Sequence, residues 1–274
     1  MLCLSFAIIL RILSNSSLNV FQKILSAKGE FSSVINFYTY LGLTAICVFI
    51  QPQIIYNFEI ALNVLLMGFL GALGNYFIIK ALSCGELSSL APINSYKPIV
   101  ALIFGMILLK EFPGMKELVG IFLIIVGTLI LFKGNIIYNR ACLFRFYALI
   151  FSGIEAIFIK KVILLTNVST AFFYWACASL IFAILFALIS KHELIIKKDN
   201  IRYQIILVVL VALMQYSTNY VFSKINVSYA LALFQLSTIL SVFLGVNIFK
   251  EKEFFRKIIA SLVMILGAIL IILF

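Results

Sequence analysis

Histidine and aspartate each occur once in 274 residues, and charged side chains of all kinds make up only 11% of the chain. That scarcity removes whole classes of function. A hydrolytic or metal-dependent site needs converging His, Asp, Glu or Cys side chains. The apolar segments contain no His or Asp and one clearly central carboxylate, Glu155. The single histidine, His192, lies in a polar loop between Lys191 and Glu193. Cys3, Cys47, Cys84, Cys142 and Cys177 are odd in number, lack C-x-x-C spacing and sit in or beside apolar runs. They read as small buried hydrophobes rather than disulfides or metal ligands. No P-loop pattern is present, so ATP-driven work would need a partner. The expectation is a protein that is not an enzyme and holds no cofactor.

What the chain has in abundance is apolar surface: 64% of its residues are hydrophobic and the mean hydropathy is +1.19. Soluble domains carry about 25% charged residues, so this composition points to an all-α integral membrane protein. The net charge of +11 comes from 21 Lys and Arg spread over short loops and helix ends. Lipid headgroups fit that scatter better than nucleic acid. The first apolar run has no basic leader and continues through Val20, which predicts a retained span rather than a cleaved signal.

A spanning helix needs about 20 mainly apolar residues. Ten segments meet or approach this length: Leu2 to Leu25, Ser32 to Ile50, Ile60 to Leu82, Ser88 to Leu109, Met115 to Phe132, Cys142 to Leu165, Ser169 to Ile189, Ile201 to Lys224, Ser228 to Phe249, and Lys257 to Phe274. The fourth is anomalous, with Asn94, Ser95, Lys97, Pro92 and Pro98 inside an apolar run. Proline removes one helical hydrogen bond and displaces the carbonyl four residues earlier. Pro92 and Pro98 therefore free the carbonyls of Ser88 and Asn94. Freed backbone at membrane depth must face protein or water.

The chain also repeats itself. A shift of 140 residues sets Gly105 on Gly245, Lys110 on Lys250, Glu111 on Glu251 and Gly127 on Gly267. Ten spans then divide into two five-helix repeats, residues 1–134 and 135–274. Five is odd, so the second set crosses in the opposite sense. Inverted repeats of this kind recur in secondary transporters, whose substrate site lies near the midplane between the halves.

These features resemble the EamA-type carriers of the drug/metabolite transporter (DMT) superfamily, over nearly the whole chain. Pro98, Glu111, Gly120 and Gly127 match that family's pattern in the first copy, and Glu251 and Gly267 in the second. Lys160 and Lys161 resemble the basic pair that often ends its sixth helix. Thr238 stands where the second copy would place its proline. The resemblance implies export or exchange of small metabolites, such as amino acids or related compounds, or drugs, across the plasma (inner) membrane. It also implies a central cavity lined by helices one, three and four of each half, with the fifth helices mostly outside it.

Polar side chains form stripes that agree with such a cavity. Arg11, Asn15, Asn19 and Gln22 recur at helical spacing on the first segment, and Gln215, Asn219 and Ser223 do so on the eighth. Tyr216 and Tyr220 flank the latter stripe; the third segment adds Asn75 and Tyr76, and the ninth Gln235, Thr238 and Ser241. Such residues also cross-link membrane helices, which is the competing reading.

Lys97 and Glu155 each lie about halfway along a segment, where a charge costs about 2.5 to 3.5 kcal/mol on insertion scales. Neither belongs against lipid. Either they form a buried ion pair locking the halves together, or they are opposite ends of a site. In the second case Glu155 takes a proton or a cationic group and Lys97, with Asn94 on its face, an anionic one. The candidate site is therefore Lys97, Glu155, Asn94, Asn15, Asn19, Asn75, Tyr76, Gln215, Tyr216, Asn219 and Gln235, with a small-molecule substrate, a proton as coupling ion and the lipid bilayer as partners. Arg11 reads as a snorkelling charge, with a substrate contact as the other reading, Glu111 and Glu251 as helix-end caps, and Trp175 as a packing or lipid-facing residue. A channel or a non-transporting scaffold is the alternative class. About 14 basic residues, Arg145 among them, follow odd-numbered helices and about six lie at the other end. The positive-inside rule thus places both termini outside, whereas the resemblance implies both in the cytoplasm.

Overall fold

The structure, a computed structural model, describes residues 2–50, 52–55, 57–97, 99–100, 103, 115–131, 139–190, 193–225 and 227–273. Lys110, Glu111, Gly105, Pro98 and His192 lie outside these residues. Every regular element among them is helical. The α-helices are α1 (Leu2–Ala27), α2 (Ser32–Ile46), α3 (Phe58–Cys84), α4 (Leu87–Leu90), α5 (Met115–Leu131), α6 (Arg140–Leu165), α7 (Val168–Ser190), α8 (Ile201–Lys224), α9 (Val227–Phe234), α10 (Ser237–Phe249) and α11 (Phe254–Leu273). Short 3-10 turns occupy Cys47–Phe49, Pro92–Tyr96 and Lys198–Asn200.

Local chemistry sets the helix starts. Asn57 accepts from the Glu59 N–H at 3.2 Å to cap α3, and Asn139 accepts from Ala141 at 3.1 Å to cap α6. At 27 residues α3 is about 40 Å long, enough to cross the roughly 30 Å hydrocarbon layer with tilt. Among the described residues five helices are long and apolar enough to cross a membrane: Cys3–Ala27, Ser32–Phe49, Phe58–Cys84, Val168–Ser190 and Lys198–Lys224. Polar and apolar surfaces are inverted relative to a soluble protein. Phe6, Leu62, Phe122, Ile181, Leu188 and Phe255 are exposed, while Ser16, Gln22, Asn36, Thr170 and Asn219 are fully buried. The outer face thus suits a lipid solvent.

The helix pairings come in related couples. α3 packs on α6 and α8 packs on α1, the same pairing with the halves exchanged; α2 pairs with α7, and α5 with α11, each with its own counterpart. At the α5–α11 crossing a Cβ on Gly127 would lie 3.0 Å from the Ala260 carbonyl, and one on Gly267 would lie 3.0 Å from Ile124 N. The two glycines that mark the repeat in sequence permit the same close crossing from both sides.

Among the described residues two spans are discontinuous. The fourth is broken at Pro92, where α4 ends at Leu90 and a 3-10 turn begins, but the Asn94 carbonyl, expected to be freed by Pro98, accepts from the Lys97 N–H, and Pro98 itself lies outside the described residues. The ninth, expected as one helix from Ser228 to Phe249, is also broken. α9 ends at Phe234, a turn occupies Gln235 and Leu236, and α10 starts at Ser237. No proline causes that break. Instead the Ser237 hydroxyl donates to Phe234 O at 2.7 Å and Thr238 N to Gln235 O at 2.8 Å, so local side-chain and 3-10 bonding replaces the α-helical ladder.

Candidate functional site

Both breaks face one partly enclosed cavity of about 110 Å³. It is lined from the first half by Arg11, Asn15 and Asn19 on α1, Tyr40 on α2, Gly71 and Asn75 on α3, and Asn94 and Lys97 at the fourth-span break. The second half contributes Arg145, Ser152 and Glu155 on α6, Trp175 on α7, Gln215 and Thr218 on α8, and Gln235 and Ser237 at the ninth-span break.

Glu155 is held by an unforeseen partner. The indole N–H of Trp175 donates to Glu155 Oε1 at 2.6 Å, with Trp175 only 4% exposed and its ring edge-on to Tyr40 at 5.3 Å. Trp175 is therefore neither lipid-facing nor mere packing; it fixes the one central carboxylate. Gly71 makes the arrangement possible, since a Cβ there would collide with Glu155 Oε1 and lie 2.9 Å from the indole nitrogen. Among the described residues no ion pair joins Lys97 to Glu155. Both line the cavity; the Lys97 backbone N–H donates to Asn94 O, and its side chain makes no hydrogen bond among the described residues.

Arg145 departs further from the sequence expectation. It is no loop charge but 5% exposed, donating from Nη2 to Asn94 Oδ1 at 2.6 Å and from Nε to Leu90 O at 3.3 Å. It thereby satisfies backbone and side-chain oxygens at the fourth-span break. Asn15 plays the equivalent part at the ninth, donating to Ser237 Oγ at 3.0 Å, while Ser16 donates to Ser237 O at 2.8 Å. Each break is pinned by the first helix of the opposite half. Asn75 lines the cavity and also cross-links helices, accepting from Gln22 at 2.9 Å and donating to Asn36 at 2.7 Å. Gln215 donates to Asn219 at 2.9 Å; Gln215 lines the cavity and Asn219 lies behind it, fully buried. Gln235 donates to Leu231 O at 2.9 Å.

Two expected residues stand elsewhere. Tyr216 is 41% exposed, paired with the Ser169 hydroxyl and packed on Phe172; Tyr76 packs on Phe77 and Phe186. Each is one position from a stripe residue, and one residue turns a helix face by about 100°.

At one end of the bundle Glu251 closes the halves together. Its carboxylate accepts from Leu87 N and Ser88 N at 2.8 Å each, from the Ser88 hydroxyl, and from Lys23 Nζ at 2.5 Å. A second-half carboxylate thus caps the first-half helix α4 and pairs with α1, a placement favoured by the helix dipole. Burial alone would push the Glu251 carboxyl up, but hydrogen bonds from Lys23 and Ser88 and the Lys23 charge hold it below its ordinary value. Nearby, Lys257 pairs with Glu86 at 2.5 Å and donates to Ser88 Oγ at 2.7 Å. A Cβ on Gly245 would lie 2.7 Å from Glu251 Oε2, so this glycine admits the carboxylate.

An internally repeated helical bundle with an apolar exterior and broken spans around a charged cavity is that of a multi-pass integral membrane protein. The EamA-like transporter family matches residues 4–133 and again residues 139–273, and the chain belongs to that family. A protein of known crystal structure superposes with a TM-score of 0.70 over 99% of this chain and 96% of its own, at 13% identity. That likeness concerns the fold alone. No curated protein matches the chain.

Proposed function

We propose that this protein is a secondary carrier that exports or exchanges a small metabolite, such as an amino acid or a related compound, or a drug. Ten spans in two inverted five-helix repeats, residues 1–134 and 135–274, rock in the plasma membrane about a midplane site. The observation that carries this reading is the cavity itself, lined from both halves and bounded by one discontinuous span from each. Discontinuous helices bring backbone polar groups to membrane depth where a substrate can use them. Lys97 and Glu155 are the binding and coupling groups of that site, with Asn15, Asn19, Asn75, Asn94, Gln215 and Gln235 around them and Asn219 supporting Gln215. Substrate contacts that differ between inward- and outward-open forms drive the population shift.

Glu155 is the proton-coupling group in this reading. In proteoliposomes, Glu155→Gln abolishes proton-coupled uptake and its pH dependence while the purified variant keeps its elution profile and helical content. Unchanged flux with unchanged pH dependence would remove Glu155 from the mechanism. Saturable counterflow of a labelled substrate separates a carrier from a channel, which shows no trans-stimulation.

A further inference from the structure

We infer that the central cavity takes a small organic oxyanion, a carboxylate or phosphate, anchored by Arg11; the inference rests on the carrier reading above and names its substrate class. Among the described residues three cations, Arg11, Lys97 and Arg145, line the cavity against a single carboxylate, Glu155. Two of these four groups are already engaged. Arg145 is bonded to Asn94 and Leu90 O, and Glu155 to Trp175. Arg11 is not. It is 8% exposed, and its Nε and Nη1 atoms are buried with no hydrogen-bond partner.

Arg11 does not snorkel to an interface; its guanidinium lies over the Phe234 ring at 4.4 Å, beside the ninth-span break. A fork held against a phenyl face keeps its N–H edge free, and that edge matches an oxyanion bidentately. An unpartnered buried guanidinium is among the costliest groups a fold can keep. Its retention in a cavity with excess positive charge is accounted for by a partner that arrives from outside. Lys97, also without an ion pair among the described residues, supplies a second cation to the same ligand.

The size of the cavity bounds that ligand. At about 110 Å³, against about 150 Å³ for a cavity that takes a benzene ring, it favours the smallest compounds of this class, for which a short dicarboxylate and a three-carbon phosphate ester serve as probes.

The test is thermal unfolding of the purified protein in neutral detergent, titrated with succinate, glycerol 3-phosphate, succinamide, glycerol and ethylamine. Succinate or glycerol 3-phosphate raises the midpoint saturably, and the comparison of the two says which oxyanion is the source. Succinamide, glycerol and ethylamine do not. Arg11→Gln weakens the effective anion by on the order of 10- to 100-fold, as expected for loss of charge-assisted hydrogen bonds, and Arg11→Lys by less. The inference is overturned if the neutral compounds or ethylamine stabilise as well as the anions, or if Arg11→Gln binds the anion as tightly as the parent. Should Arg11→Gln fail to fold, the parent's choice between succinate and succinamide still decides. Counterflow separates the two levels. Saturable counterflow of a neutral or cationic compound without anion binding overturns the anion site and keeps the carrier. Anion binding through Arg11 without counterflow of any compound supports the site and removes the carrier reading.

Discussion

The broken spans of the two halves reach the same shape by different chemistry. In the first, Pro92 opens a 3-10 turn and a buried arginine from the opposite half satisfies Leu90 O and Asn94. In the second no proline is present; neutral Asn15 and Ser16 from the opposite half hold Ser237, whose own hydroxyl back-bonds to Phe234 O. The break is therefore a property of the architecture, maintained wherever a partner helix supplies donors. The residue type at the break is free to differ. One consequence is electrostatic: the first break is pinned by a charge and the second by neutral groups.

The largest expected effect lies where the halves meet at the bundle end. Glu251→Ala leaves Lys23 and the Leu87 and Ser88 N–H groups without their acceptor, and removing one partner of a buried pair costs about 4 kcal/mol. Thermal unfolding in detergent measures it. The linkage has a definite sign. The folded carboxyl sits below its ordinary pKa of 4.5, so its contribution is complete above that value and is lost as pH falls through the depressed one. The parent thus loses stability on acidification through that window more steeply than Glu251→Gln does. Next, Arg145→Ala strands Leu90 O and Asn94 and lowers stability by about 2 kcal/mol. Ser237→Ala, the corresponding disruption at the neutral break, lowers it by about 1 kcal/mol. Equal effects at the two breaks would erase the distinction between a charged pin and a neutral one.

Much of this was legible in the chain. The repeat at 140 residues and the polar stripe of α1 needed only spacing, because helical periodicity is local. Lys97 and Glu155 stood out because central charges have no place in lipid. The ninth-span break was hidden because proline is the strong signal and is absent there. Gln235, Ser237 and Thr238 clustered in an apolar run were the trace it left. Arg145 was misplaced by its position, three residues past Cys142, where a basic residue normally reads as an interfacial charge. Trp175 was unreadable in principle, since its partner lies 20 residues away on another helix and only packing brings them together.

The central claim, that the two halves move about the cavity, has a direct test at the Glu251 clamp. In a cysteine-free background, Lys23→Cys and Glu251→Cys are bridged by a short bifunctional thiol reagent, and counterflow is compared before bridging, after it and after release by a reductant. Movement of the halves requires that bridging stop counterflow, that ligand binding survive from the open end, and that reduction restore transport. Undiminished counterflow through the bridged protein would contradict it.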